Sequence, residues 1–167
     1  NEVKVRFCAD YLHAEDYDLW SRLIVLGDIA NIPEVLLNYR VHQESVSRSN
    51  QVKQLENSIR VRQNQFEKMG IKLTASECNS YAEFCYANWS FFNKKELVEN
   101  LGHLINAILV ANKKSKYITP SVFDNYILSK WYHLNYNCGE ESLFYTLSVE
   151  YNVSLKDRLK LKIKSLM

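Results

Sequence analysis

Only four glycines and two prolines interrupt 167 residues, and that scarcity constrains the fold more than any other feature. Turn-rich β architectures need these residues at their many reversals, whereas helices exclude both from their interiors. The chain is therefore expected to be mainly α. Apolar spacing and start signals predict helices over 15–26 and 49–69, then near 75–91, 94–112, 120–136, 140–151 and 154–166. Three starts carry capping boxes, in which a short polar side chain and an acid three residues later satisfy exposed N–H groups: Thr74 with Glu77, Asn93 with Glu96, and Ser154 with Asp157. Thr119-Pro120 pairs a cap with proline at the first helical position. Gly27 and Gly70 sit where the first two helices should stop.

The first forty-odd residues read differently. Val3, Val5 and Phe7 alternate as a short strand would, and the Val-, Leu- and Tyr-rich stretch 35–41 reads as a second strand after Ile32-Pro33-Glu34. Between them, Leu19, Trp20, Leu23 and Ile24 form the apolar stripe of helix 15–26. The expected map is a small α/β piece at 1–46 followed by an all-helical bundle at 47–167. Trp89, Leu101, Leu104, Ile108, Phe123, Ile127 and Trp131 are the expected bundle core. No repeat of fixed period and no low-complexity linker is visible.

Composition excludes several functions. A net charge of +2 gives no global field for nucleic acid. Cys8, Cys78, Cys85 and Cys138 show no C-x-x-C pairing and no zinc-finger spacing, so they read as reduced core thiols of a cytoplasmic protein. The longest apolar run, 104–111, is too short to span a bilayer, and no signal peptide is visible. His13, His103 and His133 lack ligand-like partners. Tyr81, Phe84, Tyr86, Trp89, Phe91 and Phe92 could offer a sugar-stacking platform, but their helical spacing favours core packing. The chain opens at Asn1 in mid-pattern, which suggests a piece of something larger.

Two constellations carry chemistry. Glu15, Asp16 and Asp18 open the first helix, where carboxylates interact well with free N–H groups and the helix dipole. Asp18 also lies four residues before Arg22, the spacing of an ordinary helical ion pair. Asp16 is explained less well by either. Asp16-Tyr17-Asp18 matches a metal-binding Asp-x-Asp string only in letters, because residues i and i+2 of a helix point roughly 200° apart. At the second site, strand alternation puts Arg40 and His42 side by side at the end of 35–41, followed by Ser45, Ser47 and Arg48. A guanidinium fork, an imidazole and hydroxyls suit a phosphate or diphosphate.

Together, "AEDYDLWSRLIVLGDIANIPEVLLNYRVHQESVS" resembles the C-terminal stretch of the catalytic domain in family 2 glycosyltransferases, which have a nucleotide-diphospho-sugar transferase fold. In that family an acidic pair opens a helix reading "EDYDLW-x-R", and "IPEVLLxYRxHxxSxS" closes the domain. The match covers residues 14 to 47. The resemblance implies that Asp16 is the general base, that Glu15 orients it or the acceptor, and that Arg40 and His42 lie near the diphosphate, with His42 a candidate metal ligand. It implies a nucleotide-sugar donor, a saccharide or lipid-linked acceptor in cell-surface polysaccharide synthesis of bacterial type, and Mg2+ or Mn2+ in the full-length enzyme. The donor-binding half should precede residue 1, so the chain alone is expected to bind no metal and to turn nothing over.

The segment "SLKDRLKLKIKSLM" aligns Leu155, Leu159, Ile163 and Leu166 between basic flanks. Such a helix either docks on the bundle or lies peripherally on the inner, anionic face of a membrane. The competing reading of the whole chain is a non-catalytic helical interaction module whose first forty-odd residues are a relic.

Overall fold

The computed structural model describes residues 5–27, 29–38 and 50–138. Among them the chain is mainly helical and contains no strand. The helices are α1 (Glu15–Leu23), α2 (Gln51–Met69), α3 (Ala75–Cys85), α4 (Lys95–Ser115) and α5 (Pro120–Cys138), with 3-10 turns at Ala9–Tyr11 and Trp89–Phe92. None is long and apolar enough to cross a membrane. The helices expected over 140–151 and 154–166, and the box of Ser154 with Asp157, lie outside the described residues. Packing divides the chain into two compact units between Gln65 and Phe66, within α2.

In the first unit, polar side chains of α2 tie down an irregular segment. Asn57 Nδ2 donates to the Leu12 carbonyl at 2.8 Å, and Arg60 Nη1 donates to the Asp10 carbonyl and to Asn57 Oδ1, each at 3.0 Å. Asn64 Nδ2 donates to the Tyr11 hydroxyl at 2.6 Å, and the Arg60 guanidinium lies over the Tyr11 ring at 5.1 Å. Backbone carbonyls outside regular structure need such partners when they are withdrawn from water. The result is an anchored approach to α1.

The structure corrects three expectations here. The face of α1 that is buried carries Ala14, Asp18 and Ser21, while Trp20 and Ile24 of the apolar stripe are 56% and 61% exposed. Apolar periodicity marks a face that can be buried, and here only its Leu19 and Leu23 are half-buried. Residues 5–8 and 35–38 form no strand, and Val35 is 87% exposed. A strand exists only through pairing with a neighbour, and no described segment runs alongside either stretch. Helix α1 stops at Leu23, short of Gly27, because Leu26 N bonds the Leu23 carbonyl at 2.8 Å and tightens the exit into a turn. Gly27 takes no left-handed conformation.

The second unit is a helical bundle. Gly70, with φ of 91°, ends α2 in a Schellman motif: Ile71 N bonds the Phe66 carbonyl at 2.9 Å and Gly70 N bonds the Glu67 carbonyl at 3.0 Å. Thr74 and Glu77 form the expected box at the start of α3, with Glu77 N donating to Thr74 Oγ1 at 3.2 Å and Thr74 N to Glu77 Oε2 at 2.8 Å. The box of Asn93 with Glu96 does not form. Lys94 is the cap of α4, without a side-chain bond, because Asn93 closes the preceding 3-10 turn. That turn also cuts the helix expected over 75–91 back to Cys85, with Ala87 left-handed at φ 58°.

Leu101, Leu104, Ile105, Ile108 and Leu109 of α4 are buried, as are Phe123, Ile127, Trp131 and Leu134 of α5 and Phe84 of α3. Fully burying each such side chain stabilises the fold by about 1.5–3 kcal/mol. Trp89, expected in this core, is only half-buried. The aromatic segment packs as expected of a core: Phe84 lies against Tyr81, Trp89 and Trp131 at centroid distances of 6.4, 6.4 and 6.5 Å. Only Tyr86 is turned largely to solvent, at 74% exposure. Cys8, Cys78 and Cys85 are in no disulfide, and of these only Cys78 is buried.

Candidate functional site

The acids that open α1 are held by what precedes them. His13 adopts a left-handed backbone, φ 68°, which is uncommon for a residue with a side chain. Ala14 follows as the cap, and its N–H bonds the Tyr11 carbonyl at 2.8 Å. Ala14 offers no side-chain cap, and of the first turn's donors Tyr17 N turns to the Asp16 carboxylate. Tyr17, one residue after Asp16, has the Arg62 guanidinium 5.5 Å from its ring centroid.

From that start the three carboxylates diverge. Asp18 is buried, and its Oδ2 accepts from Arg22 Nε at 3.1 Å and from Arg22 Nη2 at 2.7 Å. The same Nη2 donates to the Arg6 carbonyl at 2.6 Å, so the pair also fastens the segment before the 3-10 turn. Asp16 is exposed, and its Oδ1 accepts from Tyr17 N at 2.7 Å. Glu15 is half-buried, and its Oε2 is shut off from solvent without a hydrogen-bond partner among the described residues. An unsatisfied buried polar atom costs about 1–3 kcal/mol, more when charged. Such an atom marks a position where a donor is wanted.

This geometry separates the Asp16 and Asp18 carboxylates, one facing solvent and the other locked on Arg22. Among the described residues no group of three or more His, Cys, Asp or Glu could hold a metal ion. The residue that the family resemblance makes a metal ligand, His42, is not among those described, and neither is Arg40.

Sequence reasoning missed how α2 positions the site. Asn57, Arg60 and Asn64 recur at the three- and four-residue spacing of one helical face, which was the available signal. The left-handed backbone at His13 and the stranded Glu15 oxygen had no local signal at all.

No protein-family model matches the chain, and no solved structure matches it. A protein of Haemophilus influenzae described as an uncharacterized glycosyltransferase is 48% identical to it over 46 residues, which are 28% of this chain. The match spans 14% of that protein's length. A segment of this chain is thus similar to part of a glycosyltransferase.

Proposed function

We propose that this chain is the acceptor-side end of an inverting family 2 glycosyltransferase that extends a cell-surface polysaccharide at the cytoplasmic face of a membrane. The carrying observation is the sorting of the three acids. Asp18 is committed to Arg22, which leaves Asp16 open to solvent and Glu15 with an oxygen that lacks a donor. The similarity to a glycosyltransferase over 46 residues supports the choice of reaction.

In this reading Asp16 accepts the proton of an acceptor hydroxyl. The hydroxyl oxygen bonds to the anomeric carbon of the donor sugar, the bond from that carbon to the diphosphate breaks, and configuration inverts. The Asp16 Oδ2 is the oxygen available for this step, since Oδ1 is occupied by Tyr17 N. Glu15, beside Asp16 at the helix start, orients the acceptor or the base. Arg40 and His42 carry the departing diphosphate. Trp20, Ile24, Val35, Leu36 and Leu37, all exposed here, meet the donor-binding half of the enzyme.

The test compares this chain with the longer protein that contains it. Each is incubated with a panel of uridine- and guanosine-diphosphate sugars and a saccharide acceptor, and nucleoside diphosphate release is followed. The longer protein releases it and the chain alone does not. Release by the chain alone would refute the need for a donor-binding half. An inert longer protein across the panel would favour the non-catalytic module.

A further inference from the structure

A cavity of about 420 Å3 opens beside the start of α4, entirely within the second unit and unrelated to the acids of α1. Its volume falls in the range of roughly 300–1,000 Å3 usual for small-molecule sites. Phe92 and Val98, both buried, form its apolar floor, and Trp89 stands in its wall. Asn93, Lys94, Lys95 and Asn137 surround the floor with polar groups. We propose that this cavity binds an acidic saccharide, one carrying a carboxylate on its sugar ring.

Lys94 caps α4 and Lys95 opens it, yet cations are disfavoured at a helix N-terminus, where the dipole is positive. Neither lysine is consumed by a strong partner. Lys95 reaches only Glu99, at 4.0 Å with both side chains well exposed, and Lys94 has no ion pair among the described residues. Glu96 and Glu99 share the helix but do not line the cavity. An anion placed there would gain both ammonium groups and offset the repulsion between them and the helix start.

The remaining wall explains why the anion is a sugar. Trp89 is the one residue of the expected core that stays half-buried, and an aromatic surface beside amides suits a ring with apolar C–H faces and hydroxyl edges. Asn137 Nδ2 donates to the His133 carbonyl at 2.7 Å, which leaves its Oδ1 as an acceptor for a hydroxyl. The Asn93 side chain has no partner among the described residues and supplies both a donor and an acceptor. The choice of a saccharide over other organic anions rests on the glycosyltransferase reading; the cavity and its charge do not.

The test is an NMR titration of the 167-residue chain with digalacturonate, with maltose as the neutral disaccharide and inorganic phosphate as the bare anion. The chain has three tryptophans, so the indole signals report separately on the cavity and the core. Digalacturonate should shift the Trp89 indole and the Asn93 and Asn137 side-chain amides saturably, leaving the Trp131 indole in place. The double variant Lys94→Ala/Lys95→Ala should bind it about tenfold more weakly or worse, the loss expected of charge-assisted hydrogen bonds. Its thermal midpoint should not fall, because both lysines oppose the helix dipole. Absence of saturable shifts, equal binding of maltose, equal binding of phosphate at the same signals, or unchanged affinity of the double variant would each overturn the proposal. No donor and no transfer enter this measurement, so it can succeed where the Asp16 mechanism fails, and the reverse.

Discussion

Asp18 and Arg22 meet through one carboxylate oxygen, Oδ2, which accepts from Nε at 3.1 Å and from Nη2 at 2.7 Å. The Asp18 side chain is almost wholly buried while that of Arg22 keeps about a third of its surface, 8% against 32% exposed. Solvent therefore weakens the pair but does not reach the acid. The contact makes Asp18 a structural residue and separates it in role from Asp16, two positions earlier.

Asp18→Asn should accordingly cost the chain roughly 1–3 kcal/mol, since the buried partner of Arg22 loses its charge and gains an NH2 group that needs an acceptor there. Asp16→Asn, at an exposed position, should stay within about 0.5 kcal/mol of the parent. Urea unfolding of the two variants measures both values. Equal losses would erase the distinction between the acids.

Gly102 makes a second, independent prediction. A Cβ there would lie 3.1 Å from Trp131 Cη2 and 3.4 Å from Cζ2. Trp131 is 1% exposed and backed by Phe84, so the ring has little room to withdraw. Gly→Ala in a helix interior gains about 1 kcal/mol of propensity, whereas overpacking a core costs about 1–3 kcal/mol. Gly102→Ala should therefore destabilise by about 1 kcal/mol. A higher thermal midpoint would show that α4 and α5 can separate freely.

Burial pushes the Tyr126 phenol up to about 12, with the Cys85 thiol adding to the shift, and burial also raises Tyr117. A folded-state pKa above the unfolded value of 10.0 means that the folded chain holds these protons longer. The stabilisation is complete below that value and is lost as pH rises from about 10 toward about 12. The urea midpoint should fall across that interval, and Tyr126→Phe should reduce the fall. An identical pH profile for the variant would remove Tyr126 from the linkage.

What the sequence revealed was mostly what is local. Thr74 and Glu77 cap α3 because both partners lie within one turn, and the Asp18–Arg22 pair likewise needs only helical spacing. Leu101, Leu104, Ile108, Phe123, Ile127 and Trp131 are buried as their periodicity predicts, because several helices share one core. Asn93 and Glu96 had the same spacing as a capping box, yet the 3-10 turn before them took Asn93 for its own end. The exposure of Trp20 and the unpaired stretch at 35–38 depend on distant partners, which no local pattern encodes. Glu15 was legible as a helix-start acid, but the isolation of its Oε2 arises from three-dimensional enclosure.

The proposed reaction turns on Asp16 as the base, with Asp18 held by Arg22. Its most direct test is the rate of nucleoside diphosphate release by the longer protein carrying Asp16→Asn, measured with the parent's preferred nucleotide sugar and a saccharide acceptor, with donor affinity measured alongside. Loss of a general base costs about a hundredfold or more in turnover, so the variant should lose at least that much while binding donor as the parent does. Turnover at the parent's rate would leave Asp16 an ordinary helix-start carboxylate and overturn its role as base.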